Sequence, residues 1–133
     1  MNKLYVTHCS AKKASTFKRT GSRVPPDRLY ISKRIQGFMR SCKMQGVKWA
    51  IFSDEYGLWF PHLKKKWYEK PPDDVTAEEF ESLVRDFDKK VRRYDEVWFY
   101  HHPARFHKLY RGLLRKSRCK NKIVRFTKIS KIL

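Results

Sequence analysis

Acidic residues are nearly absent from both ends of this 133-residue chain. Residues 1–48 contain a single acid, Asp27, beside 12 lysines and arginines, and residues 99–133 contain 11 basic residues and no acid. The other acids all lie between Asp54 and Glu96, and the net charge is +19. This distribution excludes a mainly acidic surface. It predicts a polyanionic partner, for which nucleic acid (DNA or RNA) is favoured over acidic lipid.

Cysteines and long apolar runs are also scarce. The three cysteines, Cys9, Cys42 and Cys119, are odd in number and widely spaced, which argues against a disulfide framework and favours a reducing compartment. No stretch approaches the roughly 18 apolar residues of a membrane span, and the first residues lack the apolar run of a signal peptide. We therefore expect an intracellular, cytoplasmic protein with no membrane partner.

Apolar residues make up 41% of the chain, which is enough to build one hydrophobic core. We therefore predict a single α/β domain over residues 1–133 that ends in a basic strand and tail over residues 117–133. Short runs rich in β-branched and aromatic residues indicate four buried strands, at residues 3–7, 47–52, 96–100 and 122–127.

Helices are predicted between these strands. Apolar positions at near-helical spacing predict the first helix over residues 28–45. Thr76 is a predicted N-cap of the second helix, and Glu79 completes a capping box. Pro103 is expected at the first position of the third helix. Residues 11–27 and the segment after the second strand are expected to be loops because they are rich in proline and glycine.

The alternation of strands and helices predicts a three-layer α/β sandwich around a four-stranded parallel sheet. In open parallel sheets, ligands bind beyond the carboxyl ends of the strands. Side chains that can bind a ligand or take part in catalysis follow three of the predicted strands, at residues 8–13, 53–57 and 100–102. We therefore expect these residues to line one cleft at the carboxyl edge of the sheet.

Four residues near these strand ends are candidate catalytic groups. Cys9 is either a nucleophile with a pKa lowered by the neighbouring lysines or an ordinary buried cysteine. Lys13 is suited to bind phosphate, to form a Schiff base with a sugar carbon, or to remain solvated. Glu55, with Asp54 beside it, offers a general base unless Asp54 caps the turn. His101 is a candidate neutral donor because the N-terminal end of a helix disfavours imidazolium.

A larger set is expected to contact the ligand or the phosphate backbone. Candidate ligand-binding residues are Ser10, Lys12, Ser53, Tyr56, Gly57, Tyr68 and His102. Candidate backbone-binding residues on the third helix are Arg105, Lys108, Arg111 and Arg115, whose alternative role is a solvated helix face. Aromatic residues interleaved with lysines after residue 58 suit unstacked bases. No close-spaced Cys/His pairs and no glycine-rich phosphate loop occur, so no metal and no cofactor is predicted.

Two short motifs resemble those of a known family. Cys9-Ser10-x-x-Lys13 after the first strand and Ser53-x-x-Tyr56-Gly57-Leu58 after the second are similar to motifs of a family of small prokaryotic and phage domains. The first motif also resembles the core of archaeosine synthase, a tRNA-modifying enzyme. Both groups are similar in fold to the uracil-DNA glycosylase superfamily. The resemblance therefore implies the strand order 2-1-3-4, with the first strand central.

Two functions remain open at this stage. The first is an enzyme that modifies or excises a nucleobase or nucleotide in a pocket at the strand ends. The second is a non-catalytic nucleic-acid-binding protein that uses the same fold and basic surface. The polar side chains at the strand ends favour the enzyme, whereas the extreme positive charge fits both.

Overall fold

The computed structural model describes residues 1–132, and Leu133 at the end of the predicted tail lies outside them. Its strands are β1 (Lys3–His8), β2 (Trp49–Ser53), β3 (Gly57–Trp59), β4 (Glu96–Tyr100) and β5 (Ile123–Phe126). They form one sheet in the order β3-β2-β1-β4-β5. The strands β2, β1, β4 and β5 are parallel, whereas β3 pairs antiparallel with β2 at the edge.

The α/β class agrees with the sequence, but the predicted four-stranded, all-parallel sheet in the order 2-1-3-4 is wrong. The sheet has five strands and is mixed because the chain reverses directly after β2. Gly57 adopts φ 74°, a left-handed conformation that closes a three-residue turn and pairs Gly57 with Ser53. A Cβ atom at this position would lie 2.2 Å from Oδ2 of Asp86, so the turn has no room for a larger residue.

The helices are α1 (Ser15–Thr20), α2 (Pro26–Leu29), α3 (Lys33–Gln45), α4 (Ala77–Val91) and α5 (Lys108–Lys116). The segment predicted as a loop over residues 11–27 therefore contains α1 and the start of α2. The helix predicted over residues 28–45 is interrupted, because Tyr30 forms a backbone bridge with Lys13. Ser32 then caps α3 by accepting a hydrogen bond from the backbone N–H of Ile35.

The predicted start of α4 is confirmed, and that of α5 is wrong. Thr76 and Glu79 form both hydrogen bonds of the capping box at the start of α4. The helix α5 begins at Lys108, five residues after Pro103. The preceding segment is held in turns, since the Nδ1 atom of His107 accepts a hydrogen bond from the backbone N–H of Leu109 and so caps α5.

Two apolar layers cover the sheet. On one face, Leu4 and Val6 of β1 belong to the same core cluster as Phe87 of α4 and Leu113 of α5. On the other face, Tyr5 of β1 packs in a second cluster with residues of α3, including Phe38. In the described part of the chain, no helix has the length and apolar character needed to cross a membrane.

Candidate functional site

A cavity of about 590 Å³ opens where β1 ends. Its size is within the range of small-molecule sites in proteins. Five parts of the chain form its walls: the end of β1 with the following turn, α3, the end of β2, the segment 69–72 and the beginning of α5. The lining residues are His8, Cys9, Ser10, Ala11, Lys13, Arg34, Asp54, Glu69, Lys70, Pro71, Pro72, Arg105, Phe106, His107 and Tyr110.

Arg34 projects from the first turn of α3 onto the carboxyl end of β1. Its Nη1 atom donates to the hydroxyl of Thr7, and its Nη2 atom donates to the carbonyl oxygens of His8 at 2.9 Å and Cys9 at 3.5 Å. Within residues 1–132, Arg34 forms no ion pair with a carboxylate. Burial lowers its pKa from the ordinary value. A partly buried guanidinium that contacts neutral oxygens has an unmatched charge and can bind an anion.

Asp54 provides the carboxylate of the cavity. It follows β2, is 4% exposed, and accepts hydrogen bonds from the phenol of Tyr110 at 2.8 Å (Oδ1) and 3.1 Å (Oδ2). Burial raises the pKa of Asp54, and the hydrogen bond from Tyr110 opposes this shift. A buried carboxyl with a raised pKa and a fixed orientation is suited to accept and return a proton.

Lys13 reaches the same cavity from the turn after β1. Its Nζ atom lies 4.4 Å from the centre of the Tyr68 ring, a cation–π contact. Burial lowers the pKa of Lys13, and the acidic groups of Cys9, Asp54 and Glu69 oppose this shift. The ammonium group is therefore close enough to Asp54 to interact with its charge.

His8 is held neutral against the aromatic wall of the cavity. Its ring stacks on Tyr110 at a centroid distance of 4.2 Å, and its Nδ1 atom lies 2.9 Å from the carbonyl oxygen of Cys9. The same Nδ1 atom also lies 3.4 Å from Nη2 of Arg34, but the shorter contact is with a carbonyl, which only accepts, and it assigns the proton to Nδ1. In this tautomer Nε2 is an acceptor that is buried without a partner among the described residues. Burial and the charge of Arg34 lower the pKa of His8 to about 3.

Four of the predicted site residues line the cavity together: Cys9, Ser10, Lys13 and Arg105. The expected lowering of the Cys9 pKa is wrong. Burial, together with the charge of Asp54, raises the pKa of this thiol to about 11. Its sulfur accepts a hydrogen bond from the backbone N–H of Asp54 at 3.4 Å and lies 3.6 Å from the phenol oxygen of Tyr110. Cys9 is therefore a packed thiol and not a thiolate nucleophile.

Of the residues predicted after β2, Asp54 lines the cavity, whereas Ser53, Glu55, Tyr56 and Gly57 do not. Glu55 is exposed and lines a separate groove with Tyr56 and Gly57. Ser53 is fully buried, and its hydroxyl accepts the backbone N–H groups of Glu55 and Tyr56 at 3.1 Å and 3.0 Å. The phenol of Tyr56 donates to the carbonyl of Lys66, and its ring packs edge-on against buried Trp59. Asp54, and not Glu55, is the acid at the site.

The predicted histidines have structural contacts. His101 is 5% exposed, stacks on Phe106 at 4.0 Å, and accepts a hydrogen bond at Nε2 from Nε of Arg125 at 3.2 Å. Nδ1 of His102 accepts the backbone N–H groups of Ala104 and Arg105, both at 3.0 Å. Neither histidine lines the cavity. In the part of the chain that the structure describes, no three His, Cys, Asp or Glu side chains are grouped to hold a metal ion.

The remaining candidates do not line the cavity. Lys12 is exposed beside the turn after β1, and Tyr68 is buried beneath Lys13. The exposed side chains of Lys108, Arg111 and Arg115 recur every three or four residues, so they share one face of α5.

Three residues that define the cavity were not predicted from the sequence: Arg34, Tyr110 and His107. Tyr110 packs in the core, as its apolar ring favours, but its hydroxyl reaches Asp54. Arg34 stands in the first turn of a helix, where the dipole disfavours a cation, and this position was a usable signal. His107 gave no such signal, because its contacts with Asp73 and Leu109 arise from the turns before α5.

Comparison of the chain with protein-family models, with curated proteins and with solved structures finds no match.

Proposed function

We propose that this protein acts on nucleic acid as an enzyme that modifies or excises a nucleobase or nucleotide in the cavity at the end of β1. One observation carries the proposal. The cavity combines an unpaired guanidinium (Arg34), an ammonium (Lys13) and a buried carboxyl (Asp54) in a chain of net charge +19. The two cations can bind the phosphate of a nucleotide, and the carboxyl can transfer a proton to or from the reacting group of that nucleotide.

The unmatched positive charge of the surface supports a polyanionic substrate. Among residues 1–132, the carboxylates form ion pairs with four lysines and one histidine, and no arginine is paired. Exposed cations without nearby acids repel one another, and a bound nucleic acid relieves this repulsion. The face of α5 that carries Arg111 is one such surface.

A second surface, which we call the aromatic–basic face, leads to the cavity. It is formed by three cation–π pairs that join the loop after β3 to the segment after β1, which includes α1, and to the turn after β2. The pairs are Lys13 with Tyr68 at 4.4 Å, Lys18 with Trp67 at 4.8 Å, and Lys65 with Tyr56 at 5.0 Å. Tyr68 is buried, whereas the rings of Trp67 and Tyr56 are partly exposed. Partly exposed rings beside ammonium groups suit stacked bases and their phosphates in a single strand. Because Lys13 belongs to both the face and the cavity wall, a strand on this face would have its bases next to the cavity.

In this proposal Asp54 takes the part first assigned to Glu55. Its carboxyl holds or accepts the proton that moves when water attacks, and Tyr110 keeps it oriented by hydrogen bonding. Lys13 stabilises negative charge on the reacting group or on the adjacent phosphate. Cys9 and His101 have no catalytic part here, because the first is a buried thiol and the second is enclosed by Phe106 and Arg125.

The second candidate is a nucleic-acid-binding protein without catalysis. It is favoured by the location of three predicted catalytic groups, since the Cys9 thiol is buried, Glu55 is outside the cavity and His101 is enclosed. In this case the cavity would hold a base or nucleotide without converting it.

Oligonucleotide binding tests the common part of both candidates. Single-stranded DNA and RNA are titrated by fluorescence anisotropy at several salt concentrations. If about five phosphates are neutralised, the logarithm of the affinity should fall with the logarithm of the salt concentration with a slope of about −4. Lys13→Ala and Arg111→Ala should each flatten this slope by about one unit. Affinity that does not change with salt would exclude the electrostatic basis of the proposal.

Mass spectrometry of the same oligonucleotides after incubation separates the two candidates. An enzyme releases a base or changes the mass of a nucleotide. Asp54→Asn should then abolish conversion and leave the affinity within about threefold, because Asp54 is not a cation that binds phosphate. Glu81→Gln, at an exposed position of α4, is the matched control and should convert normally. Salt-dependent binding without any conversion would favour the binding protein.

A further inference from the structure

The guanidinium of Arg34 is a cation whose partners are all neutral. It donates to the Thr7 hydroxyl and to the carbonyl oxygens of His8 and Cys9, and its Nη2 atom also lies 3.4 Å from Nδ1 of the neutral His8 ring. A guanidinium has five N–H donors, so these acceptors leave donor capacity toward the cavity that Arg34 lines. A charge that is partly removed from water is costly unless an anion or several dipoles compensate it. The carbonyl dipoles at the end of β1 supply only part of that compensation.

The distribution of charge around the cavity favours an anion near Arg34. Four cationic side chains, of Lys13, Arg34, Lys70 and Arg105, line the cavity together with two carboxylates, of Asp54 and Glu69. Lys70 is paired outward with Glu79, and both lining carboxylates act electrostatically on Lys13. Among the described residues, no carboxylate acts comparably on Arg34, whose acidic neighbours are the weakly acidic groups of Cys9, Tyr110 and Tyr100.

A second observation concerns the neighbouring side chain of His8. The Nε2 atom of His8 is a buried acceptor without a donor among the described residues, although His8 lines the same cavity. Native proteins rarely leave such an atom unpaired, and a bound ligand is a common explanation. A ligand with both an anionic group and a hydrogen-bond donor would compensate Arg34 and His8 together.

We propose that Arg34 and Lys13 form a subsite for a phosphate monoester, so that the cavity takes a nucleotide with a terminal phosphate. This inference rests on the proposed function and narrows its substrate class. A monoester carries nearly two negative charges at neutral pH, whereas a phosphodiester inside a strand carries one. The two cations therefore match a terminal phosphate better. The hydroxyl or amino groups of the same nucleotide supply the donor that Nε2 of His8 lacks.

Isothermal titration of the wild-type protein tests the subsite without any variant. The probes are inorganic phosphate, a nucleoside 5′-monophosphate and the corresponding nucleoside. The monophosphate should bind at least about tenfold more tightly than the nucleoside, as expected for one charge-assisted contact in a partly buried site. Equal affinities for the nucleoside and its monophosphate would overturn the proposal.

Two variants on α3 locate the binding. Arg34→Gln should reduce the affinity for the monophosphate about tenfold or more and leave the affinity for the nucleoside within about twofold. Arg40→Gln, an exposed arginine on the same helix, should leave both affinities unchanged. If Arg34→Gln does not fold, Lys13→Gln replaces it, with a smaller loss of the same kind. Monophosphate binding that survives both substitutions would show that the phosphate lies elsewhere.

Oligonucleotides with and without a terminal phosphate distinguish a free nucleotide from the end of a strand. Preferential binding of the phosphorylated strand assigns the subsite to strand ends, and preference for the mononucleotide alone assigns it to free nucleotides. If unphosphorylated strands bind with steep salt dependence and are converted, while no monophosphate effect is found, the proposed function stands and the subsite is wrong. If the monophosphate binds through Arg34 but no oligonucleotide binds, the nucleic-acid function is wrong.

Discussion

The phenol of Tyr110 donates a hydrogen bond to the buried carboxylate of Asp54, with its oxygen 2.8 Å from Oδ1 and 3.1 Å from Oδ2. The two residues are far apart in sequence, one directly after β2 and the other in α5. Cys9 lies beside both, with its sulfur 3.6 Å from the phenol oxygen. The carboxyl group that the proposed chemistry uses follows a strand of the sheet and is thus held in orientation by a helix that packs on that sheet.

Removing the phenol should destabilise the protein in a pH-dependent way. Tyr110→Phe leaves a buried carboxylate without its donor, which should lower the free energy of unfolding by about 2 kcal/mol near neutral pH. It should also raise the pKa of Asp54 further, since the hydrogen bond from Tyr110 lowers that pKa. This loss of unfolding free energy should be smaller at low pH, because Asp54 takes up a proton there and no longer leaves an unpaired buried charge. Urea unfolding across this pH range measures both effects.

Tyr94→Phe is the control for this substitution. Tyr94 is 3% exposed in the same core cluster, but its hydroxyl accepts a hydrogen bond from Arg93 and, within residues 1–132, forms none with a carboxylate. Its replacement should change stability by a similar amount at each pH. A pH-independent loss in Tyr110→Phe would contradict the assigned role of the phenol.

The protein should become less stable as the pH falls below neutral, because His8 takes up a proton in the unfolded chain before it does so in the folded one. In the unfolded chain the imidazole binds a proton near pH 6.5, whereas the folded pKa is about 3. Between these pH values the unfolded state holds one more proton than the folded state. The contribution of neutral His8 to the free energy of unfolding is therefore fully present above about pH 6.5, and below it declines by at most about 1.4 kcal/mol per pH unit. The burial that lowers the pKa of His101 acts in the same direction.

The variant His8→Phe should be less sensitive to acid than the wild type between about pH 6.5 and 4.5. The phenyl ring fits among the same aromatic neighbours, Phe99, Phe106 and Tyr110, and does not titrate. Thermal unfolding at each pH gives the comparison. Identical pH dependence in both proteins would show that His8 keeps an ordinary pKa in the folded state.

Cys9 should be almost unreactive in the native protein. A pKa of about 11 leaves a thiolate fraction on the order of 10⁻³ near pH 8, and the sulfur is buried. Cys42 is also buried and has its pKa raised to about 12, whereas Cys119 is partly exposed. Alkylation with iodoacetamide followed by peptide mapping should therefore modify Cys119 first. Faster modification of Cys9 would restore its assignment as a nucleophile.

Gly57→Ala should cost more stability than Gly21→Ala. Both glycines have positive φ, 74° and 67°, so each alanine meets a backbone strain of about 1 kcal/mol. At Gly57 the added Cβ would also displace the Asp86 carboxylate, which accepts a hydrogen bond from the Leu58 N–H at 2.8 Å and pairs with Lys90. At Gly21 an added Cβ would have no atom of the described residues within 4 Å apart from the adjoining backbone. Chemical unfolding of both variants tests this difference, and equal losses would contradict it.

The sequence by itself determined the elements whose signals are local. The capping box of Thr76 and Glu79 needs only residues three positions apart, and the buried strands were visible as apolar, β-branched runs. The cluster of Cys9, Ser10 and Lys13 at one cavity followed from the single turn that carries them. Gly57 was predicted to bind the ligand, although a glycine directly after a short turn was itself a signal for the antiparallel strand β3.

Only the tertiary structure decided which side chains complete the site. The pairing of Asp54 with Tyr110 and the position of Arg34 against β1 join segments far apart in the chain, and no local pattern encodes such contacts. The structure also decided the protonation of Cys9. Neighbouring lysines in sequence suggested a lowered pKa, but burial and the approach of Asp54 dominate and raise it. Desolvation and long-range contacts depend on the packed fold, and so the chemistry of these residues depends on it as well.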